Sequence, residues 1–159
     1  MDFMIIDNFV PPSGQYLQRL IAEVPFSKVE WRKGKFLPRL CYRNGPLDDC
    51  IPVLEELKAL IEKEFGTIDG MWCNLYRNGL DYTPHHQDSY RADVYTLSFG
   101  ATRKFQLKSA EGTETVELKD RSLVFFSESF DASHTHSIPK QISVKKSRVS
   151  IVFFQVKVK

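Results

Sequence analysis

The chain changes its hydrophobic period near Met71. Upstream of that point, apolar residues recur at helical spacing: Leu54, Leu57, Ile61 and Phe65 form one stripe, with Pro52 in the first turn, where its missing N–H costs little. This predicts a helix over Ile51–Phe65. A shorter stripe, Leu17, Leu20 and Ile21, predicts a helix from Gly14 to about Val24, with Ser13 as its N-cap and Pro25 as its stop. Phe3 to Phe9 reads as a short strand ahead of Pro11-Pro12. Between the helices, residues 26–45 are polar and aromatic by turns, and they predict a mobile hairpin-like segment with Gly34 at its tip.

From Met71 onward the period is two. Strands are predicted over Met71–Tyr76, Thr83–Asp88, Val94–Gly100, Arg103–Lys108, Glu114–Leu118, Ser122–Phe126, Thr135–Pro139 and Val149–Val156, with Gly79, Gly100 and Gly112 at turns. Two helices followed by a long run of short strands predict an α+β, mainly β fold. Its core, over about 71–156, is a double-stranded β-helix, or jelly roll, with the N-terminal helices packed on one sheet. Residues 1–159 read as a single domain.

Composition narrows the class. A hydrophobic content of 42% and a charged content of 26% are those of an ordinary globule, and a net charge of +2 does not by itself announce a polyanionic partner. The basic residues are unevenly placed, however: Arg32, Lys33, Lys35 and Arg39 cluster early, and Lys140, Lys145, Lys146 and Arg148 late. Cys41, Cys50 and Cys73 are odd in number and contain no C-x-x-C, which argues against a disulfide framework or a zinc ribbon. No signal peptide or membrane span is evident. The expectation is a monomeric cytoplasmic protein, nuclear if eukaryotic.

The candidate chemistry centres on His85-His86-Gln87-Asp88. On a strand, His86 and Asp88 share a face, which offers an imidazole and a carboxylate to one ion. A second histidine from another strand would complete a facial triad with three open positions, the set used by non-haem Fe(II) oxygenases. The remaining histidines are His134 and His136, which also share a face. His136 is favoured because it opens His-Ser-Ile-Pro, and the proline stops the strand just after the ligand. The separation of 136 − 88 = 48 residues leaves room for several intervening strands. Zinc suits the same donors, but three open positions and no thiolate fit a redox iron better. If the co-substrate is a keto-dicarboxylate such as 2-oxoglutarate, Arg148 is the natural anchor. Asn74 and Tyr76, two apart, would face the same interior.

These segments resemble the AlkB family of Fe(II)/2-oxoglutarate dioxygenases, over nearly the whole chain and in the same order. Asn74-Leu75-Tyr76-Arg77-Asn78-Gly79-Leu80-Asp81 resembles N-x-Y-x-x-G-x-D, and His86-Gln87-Asp88 sits where its H-x-D belongs. Ser98 to Phe105 is similar to S-F-G-A-x-R-x-F, His136 to Pro139 to H-S-[LI]-P, and Arg148 to Phe153 to R-[VI]-N-L-T-F. Leu37-Pro38-Arg39-Leu40, with Tyr42 and Gly45, resembles the P-R motif of a nucleotide-recognition lid. The resemblance implies Fe(II) on His86, Asp88 and His136. It also implies 2-oxoglutarate contacts from Asn74, Tyr76 and Arg148, with O₂ as second co-substrate. The implied reaction hydroxylates N-methyl groups of nucleobases such as N1-methyladenine or N3-methylcytosine in DNA or RNA, releasing formaldehyde, succinate and CO₂. A single-stranded or flipped base would lie under the lid of about 26–45, contacted by Trp31, Phe36, Pro38, Arg39 and Tyr42.

Two positions depart from the family pattern. Phe154 stands where a second arginine usually binds 2-oxoglutarate, and Tyr90 stands where an acidic residue usually reads the base. The first predicts an altered co-substrate pocket, the second an altered base preference. The rival readings are the same oxygenase chemistry on another substrate, and a nucleic-acid-binding module with weak turnover.

Overall fold

The structure is a computed structural model and describes residues 2–43, 50–88 and 91–157. Its elements run β1 (Phe3–Ile6), α1 (Tyr16–Glu23), β2 (Ser27–Arg32), β3 (Lys35–Arg43), α2 (Pro52–Phe65), β4 (Gly70–Tyr76), β5 (Thr83–His86) and β6 (Ala92–Gly100). There follow β7 (Arg103–Ser109), β8 (Gly112–Leu118), β9 (Leu123–Phe126), α3 (Glu128–Ser133), β10 (Thr135–Ile138) and β11 (Arg148–Val156). The strands form a seven-stranded sheet in the order β1-β9-β6-β11-β4-β3-β2 and a four-stranded sheet in the order β5-β10-β7-β8. Every pairing is antiparallel. This is the expected jelly roll, with α1 and α2 packed on the larger sheet.

The period of two explains the layering. On β11, Val149, Ile151 and Phe153 join Leu20, Leu57 and Ile61 of the helices in one core. The alternate residues Arg148, Ser150, Val152 and Phe154 point the other way, into the space between the sheets. On β6, Tyr95, Leu97 and Phe99 face the helices and Val94 faces inward, so the strand is buried on both sides. A second core of Tyr76, Val94, Phe105, Leu107, Phe126 and Ile138 fills part of the inter-sheet space. Burying a Leu, Ile or Phe side chain contributes roughly 1.5–3 kcal/mol. The first core fixes the helices on the large sheet, and the second packs between the sheets beside the cavity.

Several boundaries differ from the sequence reading. Ser13 does not cap α1. It lies in a 3-10 turn over Pro12–Gly14, and Gln15 then takes a left-handed φ of 47° before the helix begins. The proline pair fixes two φ values ahead of the turn, and the tight geometry leaves no Ser13 bond to the helix. The first strand ends at Ile6 rather than Phe9. The hairpin turns at Gly34 as expected, with φ 75°. However, β3 pairs with β4 through Leu40–Leu75 to Arg43–Trp72, so the hairpin extends the large sheet rather than standing apart from it. Helix α3 was not foreseen at all.

The loops beside the cavity are tied by Arg103, 1% exposed. Its guanidinium donates to the carbonyls of Asp81 and Pro139, each at 2.8 Å, and to Gln141 Oε1 at 3.2 Å. Gly79 lies flat against the backbone of Gln141, which a Cβ there would strike, and exchanges backbone hydrogen bonds with Gln141 and Val144. Cys41 and Cys73 are buried thiols and Cys50 is exposed, with no disulfide. Among the described residues no helix is long and apolar enough to cross a membrane.

Candidate metal centre and its cavity

His86 and His136 are partners in the register of β5 with β10, which brings their rings to 4.2 Å between centroids. Asp88 arrives differently from the strand-face expectation, because β5 ends at His86. Gln87 and Asp88 lie past the strand end and are clamped there by α3. The Asp88 N–H donates to Asp131 Oδ1 at 3.2 Å, and the Gln87 amide donates to the carbonyls of Asp131 and Ala132 at 3.0 and 3.1 Å. The clamp turns the carboxylate back to the imidazoles. Asp88 Oδ1 is 3.6 Å from His86 Nε2, and Oδ2 is 3.4 Å from His136 Nε2. All three ligand atoms lie within 4.8 Å of one another. Ligands about 2.1 Å from one ion and at right angles sit roughly 3 Å apart, so a small contraction closes this set on a divalent metal.

The outer partners fix each ligand. The Nδ1–H of His86 donates to the Pro84 carbonyl at 2.8 Å, which leaves Nε2 bare toward the site. Burial alone lowers the affinity of His86 for a proton, but Asp88 and the Pro84 carbonyl outweigh it, and the net pKa is raised. His136 is 9% exposed, and burial, with the neighbouring His86, pushes it down to about 4. Its Nδ1 is 3.7 Å from Asp131 Oδ1. Burial pushes the Asp131 carboxyl up to about 6. His134 is settled by geometry: it stacks on Phe130 at 3.9 Å and 10° and bonds the Phe130 carbonyl, outside the ligand set.

The triad opens into a cavity of about 250 Å³ between the sheets. Arg148, 1% exposed, lines it from β11; Nη2 donates to Ser98 Oγ at 2.8 Å, while Nε and Nη1 have no partner. Its guanidinium lies 5.2 Å from the Tyr76 ring centre, and burial pushes its pKa down to about 10. Such nitrogens need acceptors, and a carboxylate matches the geometry and charge of the fork. Asn74 and Tyr76 also line the cavity, and neighbouring side chains take up part of their hydrogen-bonding capacity. Asn74 Oδ1 accepts from Arg39 Nε at 2.7 Å and Trp72 Nε1 at 2.8 Å, and Nδ2 donates to Ser150 Oγ at 3.1 Å. The Tyr76 hydroxyl bonds Thr83 Oγ1 at 2.7 Å. The alternation places Phe154, 8% exposed, on the same wall as Arg148, as the sequence implied.

The hairpin residues divide. Trp31 and Phe36 are 59% and 51% exposed near its tip, where Arg32 stacks over the Trp31 ring at 5.6 Å. Pro38 uses its carbonyl to accept from the Tyr82 N–H. Arg39 points into the cavity and is buried. Tyr42 packs against the helix-side core and is not brought to the cavity, because it sits on the opposite face of β3 from Arg39 and Cys41. Tyr90 lies outside the described residues. The residues that sequence reasoning missed are Asp131, Gln87 and Ser98. Ser127, which caps α3 by accepting from the Phe130 N–H, is the one local signal that could have pointed to Asp131.

Two histidines and one carboxylate beside a buried, cationic cavity in a jelly roll match the donor set that facial-triad oxygenases use. No protein-family model matches the chain. The human protein named alpha-ketoglutarate-dependent dioxygenase alkB homolog 3 is 30% identical over 64% of this chain and 42% of its own length. The rat protein of the same name is 28% identical over 65% and 41% respectively. The chain thus spans about two-fifths of the length of the curated relatives it matches. Among solved structures, OsALKBH1 superposes with a TM-score of 0.69 over 97% of this chain and 98% of that one, at 14% identity, which establishes the fold. The chain is thus similar in sequence to proteins named AlkB-type alpha-ketoglutarate-dependent dioxygenases and shares the fold of OsALKBH1.

Proposed function

We propose that this chain is an Fe(II)- and 2-oxoglutarate-dependent dioxygenase that removes N-alkyl groups from nucleobases of DNA or RNA. The observation that carries the reading is one cavity with the His86/Asp88/His136 set at one end and the unpartnered Arg148 guanidinium on its wall. Iron, when bound, supplies the oxidative chemistry: 2-oxoglutarate and O₂ become succinate and CO₂, and one oxygen atom enters an N-methyl C–H bond. The resulting hemiaminal loses formaldehyde and returns a proton to the base nitrogen, so atoms and electrons balance.

The protein's own work is positional. The imidazoles of His86 and His136 and the Asp88 carboxylate would hold the metal, which would supply the oxidative chemistry, and the cavity beside them would admit co-substrate and oxygen. Arg148 holds the far carboxylate of 2-oxoglutarate, and Tyr76 shapes the wall beneath it. The curated relatives carry dioxygenase names. A nucleic-acid substrate is supported by the hairpin, whose exposed Trp31 and Phe36 stand among Arg32, Lys33 and Lys35. Aromatic rings there stack on bases and the cations meet phosphates.

The test is anaerobic loading with Fe(II), then addition of air, 2-oxoglutarate and oligonucleotides carrying single N-methyl bases. Methyl loss, read by mass spectrometry and matched one-to-one by succinate, is the expected result. Succinate without methyl loss would keep the oxygenase and discard the substrate. Neither product from iron-loaded protein would overturn the reading.

A further inference from the structure

Among the described residues, the buried side-chain polar atoms without a hydrogen-bond partner are three: Arg148 Nε, Arg148 Nη1 and Arg39 Nη1. All are guanidinium nitrogens, and both arginines line the same cavity. Asp88 is the one acidic residue among the described residues lining it, and Asp88 faces the two histidines. The cavity therefore holds two buried cations against one committed anion, and a divalent metal would enlarge that excess. Buried guanidiniums are retained where a charged partner completes them. Two of them call for two anionic groups, which one dicarboxylate supplies.

The placement assigns the ends. Arg148 lies on β11 and pairs in register with Tyr76 of β4, while Leu40, next to Arg39 on β3, pairs with Leu75. The two arginines thus flank β4 from either side, with strand axes about 10 Å apart. The end carbons of a five-carbon dicarboxylate are roughly 5 Å apart, so the chain fits between two arms that each reach inward. Arg39 is held in place by its Nε–H bond to Asn74 Oδ1, and β3 lies against β5, where the Pro38 carbonyl accepts from the Tyr82 N–H just ahead of the strand that carries His86. Arg148 instead sits against Ser98 and the Tyr76 ring.

We propose that Arg39 is the second carboxylate anchor of the co-substrate site, gripping the keto-acid end beside the metal ligands while Arg148 grips the far carboxylate. The second cation comes from β3, across the sheet from the apolar Phe154. The proposal rests on the co-substrate reading of this cavity given above. It moves Arg39 from the base-contacting hairpin to the co-substrate wall.

The experiment is calorimetric titration of Mn(II)-loaded protein with 2-oxoglutarate and with 2-oxopentanoate, which has the same chain length but no far carboxylate. Arg39→Ala should weaken both acids by about tenfold or more, the usual scale for a lost charged hydrogen bond. Arg148→Ala should weaken 2-oxoglutarate alone. Arg39→Gln, which keeps a donor for Asn74 and so protects the fold, should also weaken both. Wild-type affinity for both acids in a folded Arg39 variant would overturn the proposal. A loss confined to 2-oxoglutarate would overturn the assignment of ends. Wild-type protein that binds neither acid would overturn the co-substrate reading itself, whereas binding without methyl loss would sink only the proposed substrate.

Discussion

At the metal end of the cavity each candidate ligand is held from outside: His86 by the Pro84 carbonyl, Asp88 through its own backbone N–H, and His136 with Asp131 Oδ1 3.7 Å from its Nδ1. At the guanidinium positions three nitrogens have none. The first arrangement holds donor atoms rigidly, so that a small spherical ion finds its ligands already gathered. The second leaves hydrogen-bond demand to be met by a ligand that comes and goes. On the function proposed above, the group retained through turnover would be met by a completed scaffold and the group consumed in turnover by an incomplete one.

The largest expected break in this contrast is at Asp88. Asp88→Ala removes one of three donors and should lower Mn(II) affinity by more than ~100-fold in an electron-paramagnetic-resonance titration, since losing even an outer partner costs ~10–100-fold. An affinity within threefold of wild type would mean that the triad is not the metal site.

Arg148→Met comes next and should split stability from binding. Replacing a buried, unsatisfied cation by an apolar side chain of similar length should raise the ligand-free melting temperature, by the equivalent of about 1–4 kcal/mol. The same change should weaken 2-oxoglutarate binding by ~100-fold. A fall in melting temperature together with unchanged 2-oxoglutarate binding would make Arg148 a purely structural cation.

Asp131→Asn sharpens the metal end through pH. In the metal-free protein, His136 sits at about 4, so the folded state refuses a proton that the unfolded chain accepts near about 6.5. Stability is lost as pH falls through that window. Asp131 sits at about 6, so the folded state takes a proton before the unfolded chain does at about 4, and stability is gained across nearly the same window. Each contribution amounts to about 3 kcal/mol at most, and they offset. Between pH 6.5 and 4 these two groups should therefore leave the wild-type denaturant midpoint little changed, and His86, raised by Asp88 and the Pro84 carbonyl, adds stability as pH falls. Asn at 131 still accepts from Asp88 but does not titrate, so its midpoint should fall with acid. A flat profile in the variant would deny that His136 is held neutral. Metal affinity should fall about tenfold as well.

The smallest effect is expected away from the cavity. Trp31→Ala should weaken single-stranded oligonucleotide binding by about 1 kcal/mol, roughly fivefold. Mn(II) and 2-oxoglutarate affinities should stay unchanged. A shift in either of those would tie the hairpin tip to the site.

Much of this was legible in the sequence because period and motif agreed. Val149–Val156 reads as a strand, and β11 spans Arg148–Val156 with both of its faces largely buried. The wall carrying Arg148 and Phe154 follows from alternation alone. His136 was separable from His134 by the proline that follows, and the structure turns His134 onto Phe130. What escaped depended on long-range contact. Asp88 reaches the imidazoles by leaving its strand, and the clamp comes from α3, six residues long and more than 40 positions downstream. Arg39 sits in a lid-like motif, yet pairing of β3 with β4 turns it inward, which no local pattern records. Tyr42, three residues on, faces the helices for the same reason of alternation.

The most direct measurement is the affinity for 2-oxoglutarate with and without Mn(II), in the wild type and in Asp88→Ala. If one cavity joins a metal at the triad to a dicarboxylate on the arginines, metal should tighten 2-oxoglutarate binding at least about tenfold, and 2-oxoglutarate should tighten metal binding by the same factor. Asp88→Ala should keep only the weak, metal-independent binding. Equal affinity with and without metal in the wild type would contradict a shared site.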